Sequence, residues 1–206
     1  MHDLPVAISD FDLSPAFDKA LREEKVSAWD IETTGLDFRL DEIRTCQIYV
    51  PGVGVEIVKL HGDVPERLRD VLMSETVFKV FHHAPFDLRF MRYHWKAQAR
   101  NVGCTKVLSR LISPESDKHS LKDLVSSRLG LELDKSERLS DWGASELSAE
   151  QVEYASNDVL YLLPLLRTMW KEALNLGLGD ALERSFDYLP TRVETDLRGS
   201  GDVFAY

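Results

Sequence analysis

Apolar and polar positions along the chain change period several times, and those changes mark its elements. "KVSAWDI" from Lys25, "RTCQIYV" from Arg44 and "GVEIVKL" from Gly54 are short apolar runs. Turn-forming Gly35, Asp37, Pro51 and Gly52 separate them, which predicts three strands in an antiparallel meander. "VPERLRDVLMSE" from Val64 takes up helical spacing with Pro65 near its first turn, and "TVFKVFHH" from Thr76 predicts a fourth strand. A helix from about Pro85 to Trp95 follows, then a short fifth strand in "RNVGC" from Arg100, then a helix capped by Thr105 and running through Ile112. Most of the remainder reads as helical. Gly130 is placed to end a helix in "HSLKDLVSSRLG". "SAEQ" fits a capping box, with Ser148 as cap and Gln151 three residues on. The helix that starts there buries Val152, Ala155, Val159, Leu162, Leu163 and Leu166, and Pro164 is expected to kink it. Helical periodicity is lost after about Asp187. This order of elements is that of an α/β protein.

Composition narrows the class. At 206 residues and 44% apolar, the chain is long enough for one well-buried domain, and two would be cramped. Cys46 and Cys104 are its only cysteines, and no cationic segment leads into an apolar run at its start. Both features point to a reducing interior, with the cytoplasm as the expected location. No run approaches the roughly 18 consecutive apolar residues of a membrane span. A net charge of -10 counts against a protein that coats long nucleic acid, because such surfaces are usually basic. It leaves room for a short nucleic-acid substrate, and part of the acidity can belong to a metal site.

The placement of particular acids says more than their number. Asp30 and Glu32 close the first strand two residues apart, so both point to one side and repel unless a positive charge lies between them. Asp87 falls in the first turns of the helix after the fourth strand. Tyr154 and Asp158 stand one helical turn apart on a face that borders the buried stripe. Singly, each has a plain structural reading: a chance pair among 35 acidic residues, a charge that complements a helix dipole at Asp87, an amphipathic boundary at Tyr154 and Asp158. Jointly, a strand end and two helices supply carboxylates in one fixed chain order.

In that order, "WDIETTGL", "FHHAPFDLRFM" and "YASNDVLYL" resemble the three motifs of the DEDD 3'-5' exonucleases, in the subgroup with tyrosine in the third motif. The motif resemblance spans about residues 26–170, and "LDKSERLSDWGASELSAEQVEYASNDVLYLLPL" is similar to ribonuclease D. "CTKVLSRLISPESDKHSLKDL" and the tail "FDYLPTRVETDLRGSGDVFAY" resemble the NrnC family of compact ribonuclease D relatives through to the last residue. The resemblance implies a ribonuclease H-like fold: a mixed five-stranded sheet flanked by helices, with a helical C-terminal part and a short irregular tail. It implies one exonuclease domain over residues 1–206. The implied activity is hydrolysis of very short single-stranded RNA, dinucleotides included, to nucleoside 5'-monophosphates, by a homo-oligomer that forms ring-like octamers. The implied cofactors are two divalent ions, Mg2+ or Mn2+.

Phosphodiester hydrolysis explains why such residue types are needed. Two hard cations about 3.5–4 Å apart generate the attacking hydroxide and neutralise the phosphoryl oxygens, and hard cations take oxygen ligands. By resemblance, Asp30, Glu32 and Asp158 correspond to the ligands of the nucleophile-side ion, with Asp30 bridging. Asp87 corresponds to a ligand, mainly through water, of the ion on the leaving-group side, and Tyr154 to the residue that positions the attacking water. Leu36 follows the first motif where related oligoribonucleases place an apolar wedge between two bases; a buried turn leucine is the alternative. His82 and His83 are poor ligands for hard cations, and His83 is instead expected near the substrate. Arg100, Thr105, Lys106 and Arg110 cluster around the fifth strand and are candidates for holding a 5'-phosphate, with solvated surface charge as the other reading. Lys118 and His119 are further candidates, and Cys104 stands where ribonuclease D commonly has aspartate. Two other functions fit the same pattern. One is general trimming of longer RNA or DNA. The other is a catalytically inactive binding module, against which the five intact motif residues argue.

Overall fold

Three β-hairpin-connected strands form the centre of the sheet, and parallel strands extend it on both sides. The computed structural model describes residues 4–133, 140–144 and 146–205. Residues 134–139 and 145 of the ribonuclease D-like stretch, and Tyr206 of the tail, lie outside the described residues. The strands are β1 (Val6–Asp10), β2 (Val26–Thr33), β3 (Ile43–Val50), β4 (Gly54–Lys59), β5 (Phe78–Phe81) and β6 (Val102–Cys104). They lie in the order β1-β4-β3-β2-β5-β6. β2, β3 and β4 pair antiparallel, as their short turns require, and β1–β4, β2–β5 and β5–β6 are parallel. The α/β class, mixed sheet and helical C-terminal part match the sequence reading, but the sheet has six strands and not five. β1 is the addition. It is an edge strand whose Val6 and Ile8 are exposed, so it lacks the buried periodicity that marks the others.

The helices are α1 (Pro15–Glu24), α2 (Glu66–Met73), α3 (Ala84–His94), α4 (Thr105–Ile112), α5 (Leu121–Leu129), α6 (Ala149–Leu160), α7 (Leu162–Asn175), α8 (Gly179–Asp187) and α9 (Leu189–Leu197). α1 precedes every element read from the sequence and carries ordinary start signals: Ser14 caps it, accepting from the Phe17 N–H, and Pro15 opens it. Gly130 ends α5 in the left-handed region at φ 68°, and Ser148 with Gln151 forms the full capping box of α6. Pro164 acts more strongly than a kink. The helix divides at Tyr161 into α6 and α7, because the proline three residues on has no N–H for the Leu160 carbonyl. Thr105 is the first residue of α4 and not its cap, which is Cys104. The segment after Asp187 is also corrected: residues 189–197 are helical. Pro190 sits in the first turn of α9, where proline is tolerated, and Leu189 and Val193 are buried. α9 packs along α3, with Arg92 Nε bonded to Glu194 at 2.5 Å.

The core also holds a lysine bonded to backbone carbonyls. Lys79 on β5 is fully buried, and its Nζ donates to the carbonyls of Ser74 and Val77 at 2.5 and 2.8 Å. Burial lowers its pKa to about 7. An unfolded lysine titrates near 10.4, so above pH 7 this group binds more protons in the unfolded chain than in the folded one, and its contribution to stability rises with pH. Cys46 and Cys104 act in the opposite direction above about pH 8.5, since burial raises both thiols. Asp30 and Asp87, whose carboxyls burial raises, oppose Lys79 up to about pH 8, because their folded forms keep protons that the unfolded chain has lost. Between pH 7 and 8.5 the contribution of Lys79 itself is a rise of at most about 1.4 kcal/mol per pH unit. Lys79→Met should remove that rise, giving a lower slope of unfolding free energy against pH than the unaltered protein in denaturant titrations. A slope identical to that of the unaltered protein would remove Lys79 as its source.

Candidate active site

β2 brings the first two acids to the site. Asp30 lies opposite Gln47 and Glu32 opposite Thr45 on β3, and a register shift follows at Glu32 and Thr33. α6 brings Asp158 beside them. One carboxylate oxygen from each of Asp30, Glu32 and Asp158 lies within 4.8 Å of the other two. α3 brings Asp87 by a sharp route: His83 turns the chain from β5 into the helix with φ 64°, a conformation costly for a residue with a Cβ. One turn later Asp87 is buried, and its carboxylate accepts from the backbone N–H of Ile31, between Asp30 and Glu32 on β2. Tyr154, one turn before Asp158, hydrogen-bonds to it through the phenol and packs its ring 5.9 Å from Trp142.

The electrostatics follow from gathering like charges in a partly enclosed place. Burial raises the Asp30 carboxyl well above the usual range, and the charges of Asp87, Asp158 and Glu32 raise it further; the hydrogen bond from Gln47 opposes them. Asp87 is pushed up to about 8, chiefly by burial, although the bonds from its own N–H and from Ile31 pull it down. Burial, then the neighbouring carboxylates, also raise the Tyr154 phenol, so it stays protonated at neutral pH. An all-oxygen donor set with excess negative charge fits a hard divalent cation and does not fit a soft one.

These residues line a cavity of about 710 Å3. Leu36 lies at its edge and is 79% exposed, which overturns the buried-turn alternative. The loop is built to hold it there. Asp41 accepts from the Asp37 N–H at 2.8 Å and from Thr34 Oγ1, and its carboxylate sits so close to Gly35 that an added Cβ would fall 2.5 Å from it. His82 and His83 both line the cavity. His83 is lowered to about 4 by burial and then by the charges of Lys106, Arg89 and Arg110, which places those three cations around it.

Other candidates lie elsewhere. Thr105 is fully buried, and its hydroxyl bonds to His82 Nδ1 at 2.8 Å and to the Phe81 carbonyl, so it supports His82 and presents nothing to the cavity. Arg100 enters β6 at the end away from His82 and His83, because β6 runs parallel to β5, and it pairs with Glu75. His119 is buried and bonded to Ser109 at 2.8 Å. Cys104 is buried and its Sγ accepts from the Ala84 N–H. The sequence reading passed over Gln47, Phe86, Arg89 and Trp142. Arg89 and Phe86 flank Asp87 in the second motif and line the cavity with Trp142. A polar Gln47 within an apolar strand was the available sign of the contact to Asp30.

A family model described as 3'-5' exonuclease matches residues 5–174. DNA polymerase I of Aquifex aeolicus is 36% identical over 172 residues, 79% of this chain and 26% of that protein. Ribonuclease D of Desulfotalea psychrophila is 29% identical over 188 residues, 80% of this chain and 47% of that protein. The chain thus spans between about a quarter and a half of the length of these curated relatives. Among solved structures, Brucella melitensis NrnC bound to pGG aligns with a TM-score of 0.91 at 30% identity, over 99% of this chain and 100% of that one. The same protein with bound Mg2+ aligns at 0.90 and 29% identity, over 98% and 100%.

Proposed function

The chain belongs to the 3'-5' exonuclease family, and on that premise we propose that it is a metal-dependent 3'-5' exoribonuclease of very short RNA, dinucleotides included, releasing nucleoside 5'-monophosphates. We read residues 1–206 as one exonuclease domain working in the cytoplasm. No helix among the described residues is long and apolar enough to cross a membrane. The observation that carries the reading is the convergence of Asp30, Glu32 and Asp158 oxygens within 4.8 Å, in the cavity that also takes in Asp87 and Tyr154.

Asp30, Glu32 and Asp158 would hold one divalent cation, and Asp30 with Asp87 a second. Mg2+ or Mn2+ there supplies a hydroxide at neutral pH and offsets charge on the phosphoryl oxygens. Tyr154 orients the attacking water. Its phenol keeps its proton, so it positions and does not abstract, and its bond to Asp158 fixes the direction in which it points. Leu36 offers an exposed apolar side chain to a base, and Phe86 adds an aromatic ring to the cavity lining. Arg89, Lys106 and Arg110 give the region around His83 a positive potential suited to a terminal phosphate.

A cavity of about 710 Å3 lies within the roughly 300–1,000 Å3 range of small-ligand sites, which supports a short substrate. The pGG bound by the Brucella neighbour supports it too. Similarity to a DNA polymerase I favours a second reading, trimming of longer RNA or DNA. Timed digestion of 5'-labelled RNAs and matching DNAs, from dinucleotides to about twenty nucleotides, with and without Mg2+ or Mn2+, separates the two. Fastest loss of the RNA dinucleotide, only with metal, is expected. Equal rates across lengths would establish the trimming reading instead.

The reading extends to self-association. The tail is tied to its own helix: Thr195 Oγ1 donates to the Gly201 carbonyl at 2.8 Å, Arg192 pairs with Asp202 at 3.4 Å, and Phe204 lies 5.5 Å from Tyr188. Val203 and Phe204 nevertheless remain 53% and 69% exposed, apolar surface that a second copy can cover. Deleting residues 198–206 is expected to lower the assembly mass in light scattering and to weaken the preference for a dinucleotide over a heptanucleotide in competition. Unchanged mass with unchanged preference would take the tail out of the assembly.

A further inference from the structure

Beneath the acidic cluster, β3 presents two buried polar side chains that the reaction does not use directly. Gln47 and Thr45 are 0% and 1% exposed, and strand register sets them opposite Asp30 and Glu32. Gln47 Nε2 donates to Asp30 Oδ2 at 2.6 Å, and Gln47 Oε1 accepts from Thr45 Oγ1 at 3.1 Å. The chain of bonds has one consistent direction. In the ionised form that binds a cation the Asp30 carboxylate only accepts, so the amide turns its NH2 group toward Asp30 and its oxygen toward Thr45. The Thr45 hydroxyl must then donate. Each group in the relay is thereby held in one orientation, although the amide of a buried glutamine taken alone could sit either way round.

We propose that Gln47 and Thr45 are positioning residues that fix the orientation of Asp30 for a divalent cation. The inference rests on the reading of Asp30, Glu32 and Asp158 as metal ligands. Asp30 shares its surroundings with three other carboxylates, and repulsion favours rotating its carboxyl group away from them when no cation is near. The short bond from Gln47 pins one oxygen and so restrains that rotation before metal arrives, which lowers the reorganisation needed on binding. Thr45 acts one step further back by keeping the amide from flipping. A flipped amide would set its carbonyl oxygen against a carboxylate. The conformationally rigid location matters as well, since both residues sit on the central strand pair and not on a loop.

The test is calorimetric titration of Mg2+ and of Mn2+ into the full chain, with thermal melts in chelator to confirm folding. Gln47→Leu is expected to weaken metal binding about tenfold. Thr45→Val, which keeps the shape and removes the donor, should lose affinity in the same direction but less. Thr45→Ser, which restores the hydroxyl, should bind like the unaltered protein. The metal concentration for half-maximal turnover should move in parallel, with turnover recovered at saturating metal, which a merely structural defect would not produce. Folded Gln47→Leu and Thr45→Val proteins that bind metal as the unaltered chain does would overturn the proposal. If Gln47→Leu does not fold, the Thr45 pair decides: equal losses in Thr45→Val and Thr45→Ser would also overturn it. Absence of metal binding in the unaltered chain would overturn the underlying reading of the site as well.

Discussion

Asp30→Asn and Asp158→Asn are each expected to lose hydrolysis by about a hundredfold or more while remaining folded. The size of the loss follows from removing a preorganised charge at the reacting centre, for which single deletions cost about 10²–10³. The retained fold follows from what the carboxylates do in the absence of metal. Asp30 is raised by burial first and then by Asp87, Asp158 and Glu32, so its ionised form is opposed by its surroundings. A neutral amide of the same shape relieves that opposition, and its Oδ1 still accepts from Gln47 Nε2. Melting temperature in chelator should therefore be equal or higher in the variants. Added Mg2+ should raise it in the unaltered protein by mass action and should raise it less in either variant. Near-normal turnover in either one, with metal present, would remove that residue from the metal site.

Tyr154→Phe is expected to separate binding from chemistry. The ring and its packing on Trp142 are kept, and only the hydroxyl that bonds to Asp158 is lost. Turnover should fall about a hundredfold, the scale on which a misplaced reactant slows a reaction, while KM changes little. Because the phenol is held protonated by burial and nearby carboxylates, the activity profile across neutral pH should contain no step from tyrosine ionisation in either protein. An unchanged kcat, or a rise in KM alone, would place Tyr154 outside the chemistry.

The acidic motifs were legible because each depends on local geometry. Alternation within one strand puts Asp30 and Glu32 on one side, and helical spacing puts Tyr154 and Asp158 on one face, so neither pair needs knowledge of the rest of the fold. Ser148 and Gln151 were readable for the same reason, since a capping box is complete within four residues. Long-range pairing set the limits. β1 exists because it pairs with β4, about fifty residues away, and its exposed Val6 and Ile8 give no periodic signal of burial. Arg100 and Thr105 flank one short strand, and only the parallel pairing of β6 with β5 shows that Arg100 is at the far end. α9 was hidden by Pro190 and the glycines after it, which read as punctuation, although Leu189 and Val193 had the spacing to pack on α3. Gln47 stands out as polar in an apolar strand, but its partner appears only once β2 and β3 are in register.

On the proposed reading, the carboxylates on β2, α3 and α6 gather divalent cations where RNA is cut. Anomalous scattering from crystals soaked in Mn2+ tests it most directly, with hydrolysis by the same preparation in Mn2+ as the companion assay. Anomalous peaks are expected between Asp30, Glu32, Asp87 and Asp158, and none there in crystals of Asp30→Asn soaked in the same way. A preparation that hydrolyses RNA in Mn2+ yet shows its Mn2+ peaks away from these four residues would contradict it.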